Sequence, residues 1–151
     1  PEGILPAGLG ARDTLRLESA LPLYGHELNR EATPYEAGLG WVVRLGKGDF
    51  IGRAALERQK QEGLTRRLVG LTLTEPGIAR QGYRILRDDR PVGAITSGTK
   101  SPTLGKAIGL GYVSADCADV GTRLGVEIRG RSVAAEVTKL PFYRRADRGG
   151  A

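Results

Sequence analysis

From Arg67 onward, apolar side chains recur at every second position, and this alternation constrains the fold more than any other feature of the sequence. An alternation with period two buries one face of a β-strand and leaves the other face toward solvent. The apolar positions form four groups: Val69, Leu71 and Leu73; Ile108, Leu110 and Tyr112; Leu124, Val126 and Ile128; and Val133, Ala135 and Val137. We therefore predict short, half-buried strands in the second part of the chain.

Two polar segments separate strands of this pattern, Asp88-Asp89-Arg90-Pro91 and Arg129-Gly130-Arg131. Their residues supply the backbone conformations of tight turns, so both segments favour antiparallel hairpins. Several short strands joined in this way are typical of a small barrel or sandwich. The change of periodicity divides the chain into residues 1–66 and 67–151.

The first part of the chain has mixed character. Asp13 is a plausible cap for a helix over residues 14–21, and Pro22 ends that helix because proline disfavours helix at the preceding residue. The run Trp41–Leu45 is predicted to be a strand.

A second helix has better-defined ends and is predicted to run from about Ile51 to Glu62. Asp49 is a plausible cap, and Gly63 occupies the position where a left-handed terminating residue is wanted. Helices in the first part and antiparallel strands in the second predict an α+β protein.

The net charge of +6, from 23 basic and 17 acidic residues, favours anionic partners. The basic residues are dispersed along the chain, and the aromatic residues available for base stacking are few and scattered. Nucleic-acid sites usually combine a basic face with stacking side chains. The composition therefore argues against nucleic acid as a partner.

Metal, redox and membrane roles find little support in the sequence. Cys117 is the only cysteine and has no flanking base, so a structural role is favoured. His26 is the only histidine, and no partner lies at ligand spacing, so we expect a surface or hydrogen-bonded side chain. No apolar run approaches the roughly 18–20 residues of a membrane helix, and the first residues show no targeting pattern.

No nucleophile–base pair is evident, and arginine and tryptophan are the candidate ligand-binding side chains. The planar guanidinium fork matches a carboxylate, so Arg12 is either an anion ligand or a surface charge at a helix end. Trp41 follows a glycine that allows close approach, so it either lines a pocket or packs in the core.

Ordered sequence blocks resemble the T-protein of the glycine cleavage system, a family of folate-dependent aminomethyltransferases. The run GLGARDTLRLE at Gly8–Glu18 carries the resemblance most clearly, and it extends from Pro6 to Arg145. The blocks are residues 6–18, 22–28, 33–41, 96–104, 109–113 and 140–143. The resemblance implies that residues 1–66 are the carboxy-terminal remainder of a folate-binding α/β domain. Residues 67–151 would then form a small antiparallel β-barrel of Greek-key or jelly-roll type.

The resemblance also implies a reaction. The family takes an aminomethyl group from the lipoylated H-protein, passes its one-carbon unit to tetrahydrofolate and releases ammonia. The implied compartment is the cytoplasm, or the mitochondrial matrix in a eukaryote. The chain starts at Pro1 and has no methionine, which favours a carboxy-terminal fragment that is inactive alone.

Family residues that contact folate correspond to Arg12 and, in the cavity wall, to Trp41. A residue near the carboxy terminus also reaches the folate in relatives, and the matching position is Tyr143 or Arg144. The catalytic aspartate of the family lies upstream of this sequence, so we assign no catalytic residue.

Neighbouring charged residues are expected to have simpler roles. Asp13 and Glu18 are interpreted as a helix cap and an exposed helical charge. Lys100, beside a predicted turn at Ser97-Gly98-Thr99, is a candidate contact for the acidic H-protein because a basic, exposed position suits docking.

Two alternatives to this interpretation stay open, and a third is disfavoured. Folate-binding relatives linked to iron–sulfur assembly carry a Lys-Gly-Cys block, whereas Asp49 follows Lys47-Gly48 in this chain and argues against that class. The folate domain of a sarcosine or dimethylglycine oxidase stays open. A non-catalytic basic β-barrel that binds a protein or RNA is the alternative from another functional class.

Overall fold

The computed structural model describes residues 2–145. Two α-helices, α1 (Leu9–Glu18) and α2 (Arg53–Glu62), precede the strands. The strands are β1 (Arg66–Leu73), β2 (Arg84–Arg87), β3 (Arg90–Lys100), β4 (Ala107–Ser114), β5 (Arg123–Ile128) and β6 (Arg131–Thr138). Short 3-10 helices lie at Gly40–Val42, Leu45–Lys47 and Ala115–Cys117.

The six strands close into an antiparallel barrel in the order β1-β4-β3-β2-β5-β6. Its interior is filled by Val69, Leu71, Leu73, Ile85, Ile95, Val113, Leu124, Val126, Val133, Ala135 and Val137. The predicted turns connect β2 to β3 and β5 to β6. The α+β class and the small antiparallel barrel are therefore confirmed, and the barrel replaces the sandwich alternative.

Strand β4 presents its large side chains to the outside of the barrel. Ile108 and Leu110 are buried in a cluster with Leu17 of α1. At the alternate position Gly111, an added Cβ would lie 2.7 Å from the Ile85 Cδ1 atom of the barrel interior. The alternation is thus confirmed, and its apolar side at β4 is where α1 packs.

Helix α1 begins earlier than predicted, at Leu9. Gly8 is the residue before its first turn and provides no side-chain cap. Asp13 lies inside the helix, where its Oδ1 atom is 2.6 Å from Nη2 of Arg16. The predicted cap is therefore wrong, because a local ion pair holds this carboxylate along the helix surface.

The end of α1 also differs from the prediction. Ala20 has a φ of 54°, and the Leu21 amide donates to the Arg16 carbonyl at 2.8 Å. This left-handed termination ends the helix at Glu18 and leaves Pro22 outside it.

The predicted strand at Trp41–Leu45 is wrong. The amides of Val42 and Val43 donate to the carbonyls of Leu39 and Gly40, at 3.0 and 3.1 Å. These local bonds form a 3-10 turn, and no strand of the described residues pairs with this segment. The apolar run was insufficient here because a strand also needs a neighbouring strand to satisfy its backbone hydrogen bonds.

Helix α2 confirms the prediction at its end only. Gly63 has a φ of 87°, as a left-handed terminating glycine requires. The helix starts at Arg53 after Gly52, whose φ is 90°, so Asp49 does not cap it. The Asp49 carboxylate instead lies 3.1 Å from Nη1 of Arg53.

After β6, the chain crosses the outer face of β1. Leu140 and Phe142 join the cluster around Leu17, and Gly70 of β1 makes room for them. A Cβ at Gly70 would lie 2.9 Å from Cζ of Phe142 and would overlap Leu140. The carboxy-terminal segment therefore returns to the side of the barrel that carries α1.

Candidate functional site

Helix α1 borders a groove of about 870 Å³ that contains Arg12. The groove lies along residues 7–23. Among its lining side chains, Leu9, Leu15 and Leu21 are 84%, 62% and 58% exposed. Arg12 forms no ion pair with any other residue of the described range 2–145. The groove thus combines apolar walls with a free guanidinium.

A buried ion pair between Arg16 and Glu27 is the first of three polar anchors, and it holds the last turn of α1 against the barrel. Nη1 of Arg16 donates to the Glu27 carboxylate at 2.8 Å, and Glu27 is fully buried. The Leu23 amide and the Thr96 hydroxyl also donate to this carboxylate, at 3.0 and 2.6 Å. Nη2 of Arg16, which also lies 2.6 Å from the Asp13 carboxylate, donates to the Ser97 hydroxyl at 2.8 Å.

Burial alone would raise the pKa of Glu27. The hydroxyls of Ser97 and Thr96, the Leu23 amide and the charge of Arg16 together outweigh burial and lower this pKa below 4.5. The carboxylate therefore stays ionised at neutral pH, as a buried ion pair with satisfied hydrogen bonds requires.

A β-bulge in β3 aims two consecutive side chains at this pair. The register with β4 shifts between Ile95 and Ser97, so Thr96 has no partner in the ladder. Side chains of consecutive strand residues normally point to opposite faces, whereas a bulge re-aims one of them. Thr96 and Ser97 can therefore both contact the Arg16–Glu27 pair.

Glu18 forms a second anchor, and its predicted role as an exposed helical charge is wrong. Its side chain is 2% exposed. The carboxylate accepts hydrogen bonds from the hydroxyls of Ser101 and Thr103. The apolar cluster around Leu17 buries this turn of the helix, and three barrel-side donors, including the Thr103 amide at 3.4 Å, compensate the carboxylate.

A third anchor connects the segment before the barrel to β1 and β4. Nε of Arg66 donates to Glu36 at 3.0 Å, and the Arg66 guanidinium lies 5.0 Å from the centre of the Tyr112 ring. The Tyr112 hydroxyl donates to the Glu27 carbonyl at 2.8 Å, and burial raises the pKa of Tyr112 to about 12. Burial alone would raise the pKa of Glu36. The hydrogen bond from Arg66 is the largest of the opposing contributions, and together they lower the pKa of Glu36.

The structure brings Tyr143 to α1, the helix that carries Arg12. The Tyr143 amide donates to the Glu18 carbonyl at 2.9 Å, and its side chain is 40% exposed. Arg12 precedes Glu18 by six residues, or roughly 9 Å of helix. Arg144 follows Tyr143 and is exposed.

Trp41 is not brought into this group. It is 76% exposed on its 3-10 turn and does not line the groove around Arg12. Its exposure excludes the core interpretation, and its role as a folate contact stays a prediction.

His26, Cys117 and Lys100 lie outside the α1 groove. Nδ1 of His26 lies 3.1 Å from the Thr96 carbonyl oxygen, as expected for a hydrogen-bonded histidine. Cys117 is buried in the barrel core, which confirms the structural interpretation. Lys100 is exposed at the end of β3, and Ser97-Gly98-Thr99 lie within that strand rather than in the predicted turn.

Residues 2–145 contain neither a cluster of metal ligands nor a helix suited to crossing a membrane. No group of three or more His, Cys, Asp or Glu side chains in this range is arranged to hold a metal ion. None of its helices has the length and apolar character needed to cross a membrane.

The three anchors could not be predicted from the sequence, for a physical reason. Arg16, Glu18 and Glu27 contact residues of β3 or of the loop after it, about 70–85 positions away, and no local spacing encodes such contacts. The one local signal was the apolar residue Leu17 between the charged residues Arg16 and Glu18, and its side chain is buried. It indicates that this helix turn faces the barrel.

Comparisons with known proteins match both parts of the chain to one family. The family model described as "Glycine cleavage T-protein C-terminal barrel domain" matches residues 66–144. The model described as "GCVT N-terminal domain" matches residues 1–47.

Curated relatives carry the name aminomethyltransferase. The protein from Nostoc sp. is 55% identical over 148 residues, which cover 97% of this chain and 39% of that protein. The Synechococcus elongatus protein is 58% identical over 143 residues, 94% of this chain and 38% of its own length. The Bacillus subtilis protein is 51% identical over 144 residues, 95% of this chain and 40% of its own length. The chain thus spans about 40% of the relatives it matches.

A solved structure gives the same result. The crystal structure of glycine cleavage system aminomethyltransferase T from Bartonella henselae matches with a TM-score of 0.86 and 34% identity. The match covers 91% of this chain and 39% of that one. With a barrel-domain match over more than half of its residues, the chain belongs to the glycine cleavage T-protein family.

Proposed function

We propose that this chain is the carboxy-terminal part of a tetrahydrofolate-dependent aminomethyltransferase. The complete enzyme takes the aminomethyl group from lipoylated H-protein, forms 5,10-methylenetetrahydrofolate and releases ammonia in glycine catabolism. The observation that carries this proposal is the match of both family models, in order, along one chain. We place the reaction in the cytoplasm, or in the mitochondrial matrix of a eukaryote.

The groove along α1 has the properties of a folate site. Its volume of about 870 Å³ lies in the range of roughly 300–1,000 Å³ that small-molecule sites occupy. Leu15 and Leu21 offer apolar surface for the ring systems, and Arg12 offers paired donors for a carboxylate or carbonyl oxygen. The residues present therefore fit a tetrahydrofolate molecule.

Arg12 is proposed to fix the register of the bound folate. A guanidinium makes two parallel hydrogen bonds to a planar acceptor, so it restrains orientation as well as position. Tyr143 is proposed as a second contact because its backbone is bonded to α1, and Arg144 is the neighbouring candidate. Trp41 is also proposed as a folate contact. This contact requires the complete enzyme to bring the exposed Trp41 ring to the folate.

The buried anchors are proposed to hold this groove in shape. Arg16, Glu18 and Glu27 bind α1 to β3 and to the segment after it, so Arg12 is carried by a helix that is fixed at its other end. Rigid support matters because a displacement of about 1 Å at a positioning side chain can reduce a rate about a hundredfold.

No residue of this chain is proposed as catalytic. Asp13, the acidic side chain that lines the groove, is paired with Arg16. The family's catalytic aspartate corresponds to a position before Gly8, so we expect the 151-residue chain alone to show no turnover. Measurable aminomethyl transfer by the isolated chain would contradict this expectation.

A chimera tests the proposed function. In it, this chain replaces the matching 40% of the Bacillus subtilis relative. We expect the purified chimera to form methylenetetrahydrofolate from aminomethylated H-protein and tetrahydrofolate. A chimera that folds cooperatively but has no activity would refute the proposal.

Lys100 is proposed to contact the H-protein, because it is an exposed cation at the end of β3. In the chimera, K100E should raise the Michaelis constant for H-protein by about 2–5-fold, the effect of one exposed charge pair, and leave kcat unchanged. The matched variant K139E, at another exposed lysine, should leave both constants unchanged. Equal constants for K100E and K139E would remove Lys100 from the interface.

A further inference from the structure

In a second cleft, next to α2, all the charged lining side chains are positive. It has a volume of about 840 Å³, and its charged lining residues are Arg44, Lys47 and Lys60. No carboxylate lines it, and it shares no lining residue with the α1 groove. Its charges come from two separate elements, the 3-10 segment Leu45–Lys47 with its preceding residue and helix α2.

Close packing shapes one wall of this cleft. The ring of Tyr35 lies against Gly40, where an added Cβ would be 2.9 Å from Cδ1 of the ring. Any larger residue at position 40 would displace the ring, so glycine is required for the present wall. Tyr35 and Gly40 both line the cleft.

The three cations have no anionic partner within residues 2–145. None of them forms an ion pair there, and the ammonium of Lys47 instead lies 4.9 Å from the centre of the Phe50 ring. Like charges that face one cleft repel each other, and an anion between them removes that repulsion. A concave, uniformly positive site therefore favours a small, multiply charged anion.

We propose that this cleft binds a compact oxyanion with two or more negative charges, carried by carboxylate or phosphate groups. Arg44 supplies a planar fork, and Lys47 and Lys60 supply point charges. Two sources share this chemistry: the glutamyl carboxylates of a folate and a free phosphate compound. The first source rests on the proposed function, whereas the second does not depend on it.

A nuclear magnetic resonance titration of the isotope-labelled full chain tests the site. The probes are γ-linked triglutamate, which represents a folate tail without the ring system, and inorganic pyrophosphate, each at constant ionic strength. We expect saturable shifts of the Gly40 and Gly46 amides, which line the cleft. A stronger response to triglutamate identifies a glutamyl ligand, and a stronger response to pyrophosphate identifies a phosphate ligand.

Matched double variants separate the cleft from general charge attraction. K47Q/K60Q should weaken binding by about tenfold, since it removes two of the three cations that line the cleft. K106Q/K139Q removes the same charge at exposed positions that do not line the cleft and should retain the affinity. The site is refuted if neither probe shifts the Gly40 and Gly46 amides, or if both double variants weaken binding equally.

Discussion

Single glycines decide where the chain can cross the barrel. Gly70 lies beneath Leu140 and Phe142, and its replacement by alanine forces these side chains outward. We expect G70A to lower the free energy of unfolding by about 1–3 kcal/mol, the usual effect of overpacking. Urea denaturation measures this change.

Gly10 provides the contrasting control. It lies inside α1, and no atom is within 4 Å of an added Cβ. G10A should therefore raise the free energy of unfolding by up to about 1 kcal/mol through helix propensity. If G70A were as stable as G10A, the carboxy-terminal segment would not pack on β1 as described.

The contacts of Asp13 and Glu18 differ from those that the sequence predicted. Asp13 was predicted to cap the helix, but it lies inside the helix as a partner of Arg16. Glu18 was predicted to be an exposed helical charge, although charged side chains can be buried when they are paired, and only the distant donors in the loop after β3 permit its burial. Such compensation is a property of the folded chain.

At the scale of elements, α1 is the part most dependent on buried polar contacts. Replacing Glu18 by alanine removes the acceptor for Ser101 and Thr103 and leaves a cavity. We expect E18A to cost about 3 kcal/mol and E18Q, which keeps an acceptor, about 1 kcal/mol. Urea denaturation gives the stabilities, and hydrogen exchange of the α1 amides locates the effect.

Glu62, exposed on α2, is the matched control for this element. E62A should change stability by less than about 0.5 kcal/mol. The anchor role of Glu18 would be wrong if E18A and E62A had equal effects.

Elements differed in how well their sequences predicted them. Strands β1, β4, β5 and β6 followed from alternation because each has one face against an apolar layer. The Trp41–Leu45 segment is also apolar but has no neighbouring strand among residues 2–145, so it forms 3-10 turns. Pairing depends on distant residues, and a local pattern contains no information about them.

At the scale of the whole molecule, stability should depend on acid through two ionised carboxylates. The pKa values of Glu27 and Glu36 are lowered in the folded chain from an ordinary value of 4.5. Between the folded and unfolded pKa values, the unfolded chain binds more protons, so acid favours unfolding. The stabilisation is complete above about pH 5 and is lost as pH falls through the folded pKa values.

Urea denaturation from pH 6 to pH 3 measures this dependence. The double variant E27Q/E36Q should show a shallower loss of stability with acid than the unmodified chain, although it is less stable at neutral pH. E62Q/E136Q, which changes two exposed glutamates, should keep the original slope. Parallel slopes for all three proteins would show that Glu27 and Glu36 do not control the acid response.

The whole-molecule architecture was predictable where the chain is locally regular. The barrel, its hairpins and the candidate Arg12 followed from the pattern and the family resemblance, and Arg12 does line a groove. The approach of Tyr143 to α1 could not be derived from spacing, because it depends on how residues 139–145 cross β1. The division into residues 1–66 and 67–151 stays a prediction.

Tetrahydrofolate is proposed to bind in the α1 groove through Arg12. Calorimetric titration of tetrahydrofolate into the chimera and into its R12A variant tests this proposal most directly, with R58A on the exposed face of α2 as control. Loss of a charge-assisted bidentate contact should weaken binding by about 10–100-fold in R12A and leave R58A unchanged. Equal dissociation constants for the chimera, R12A and R58A would show that Arg12 does not bind the folate.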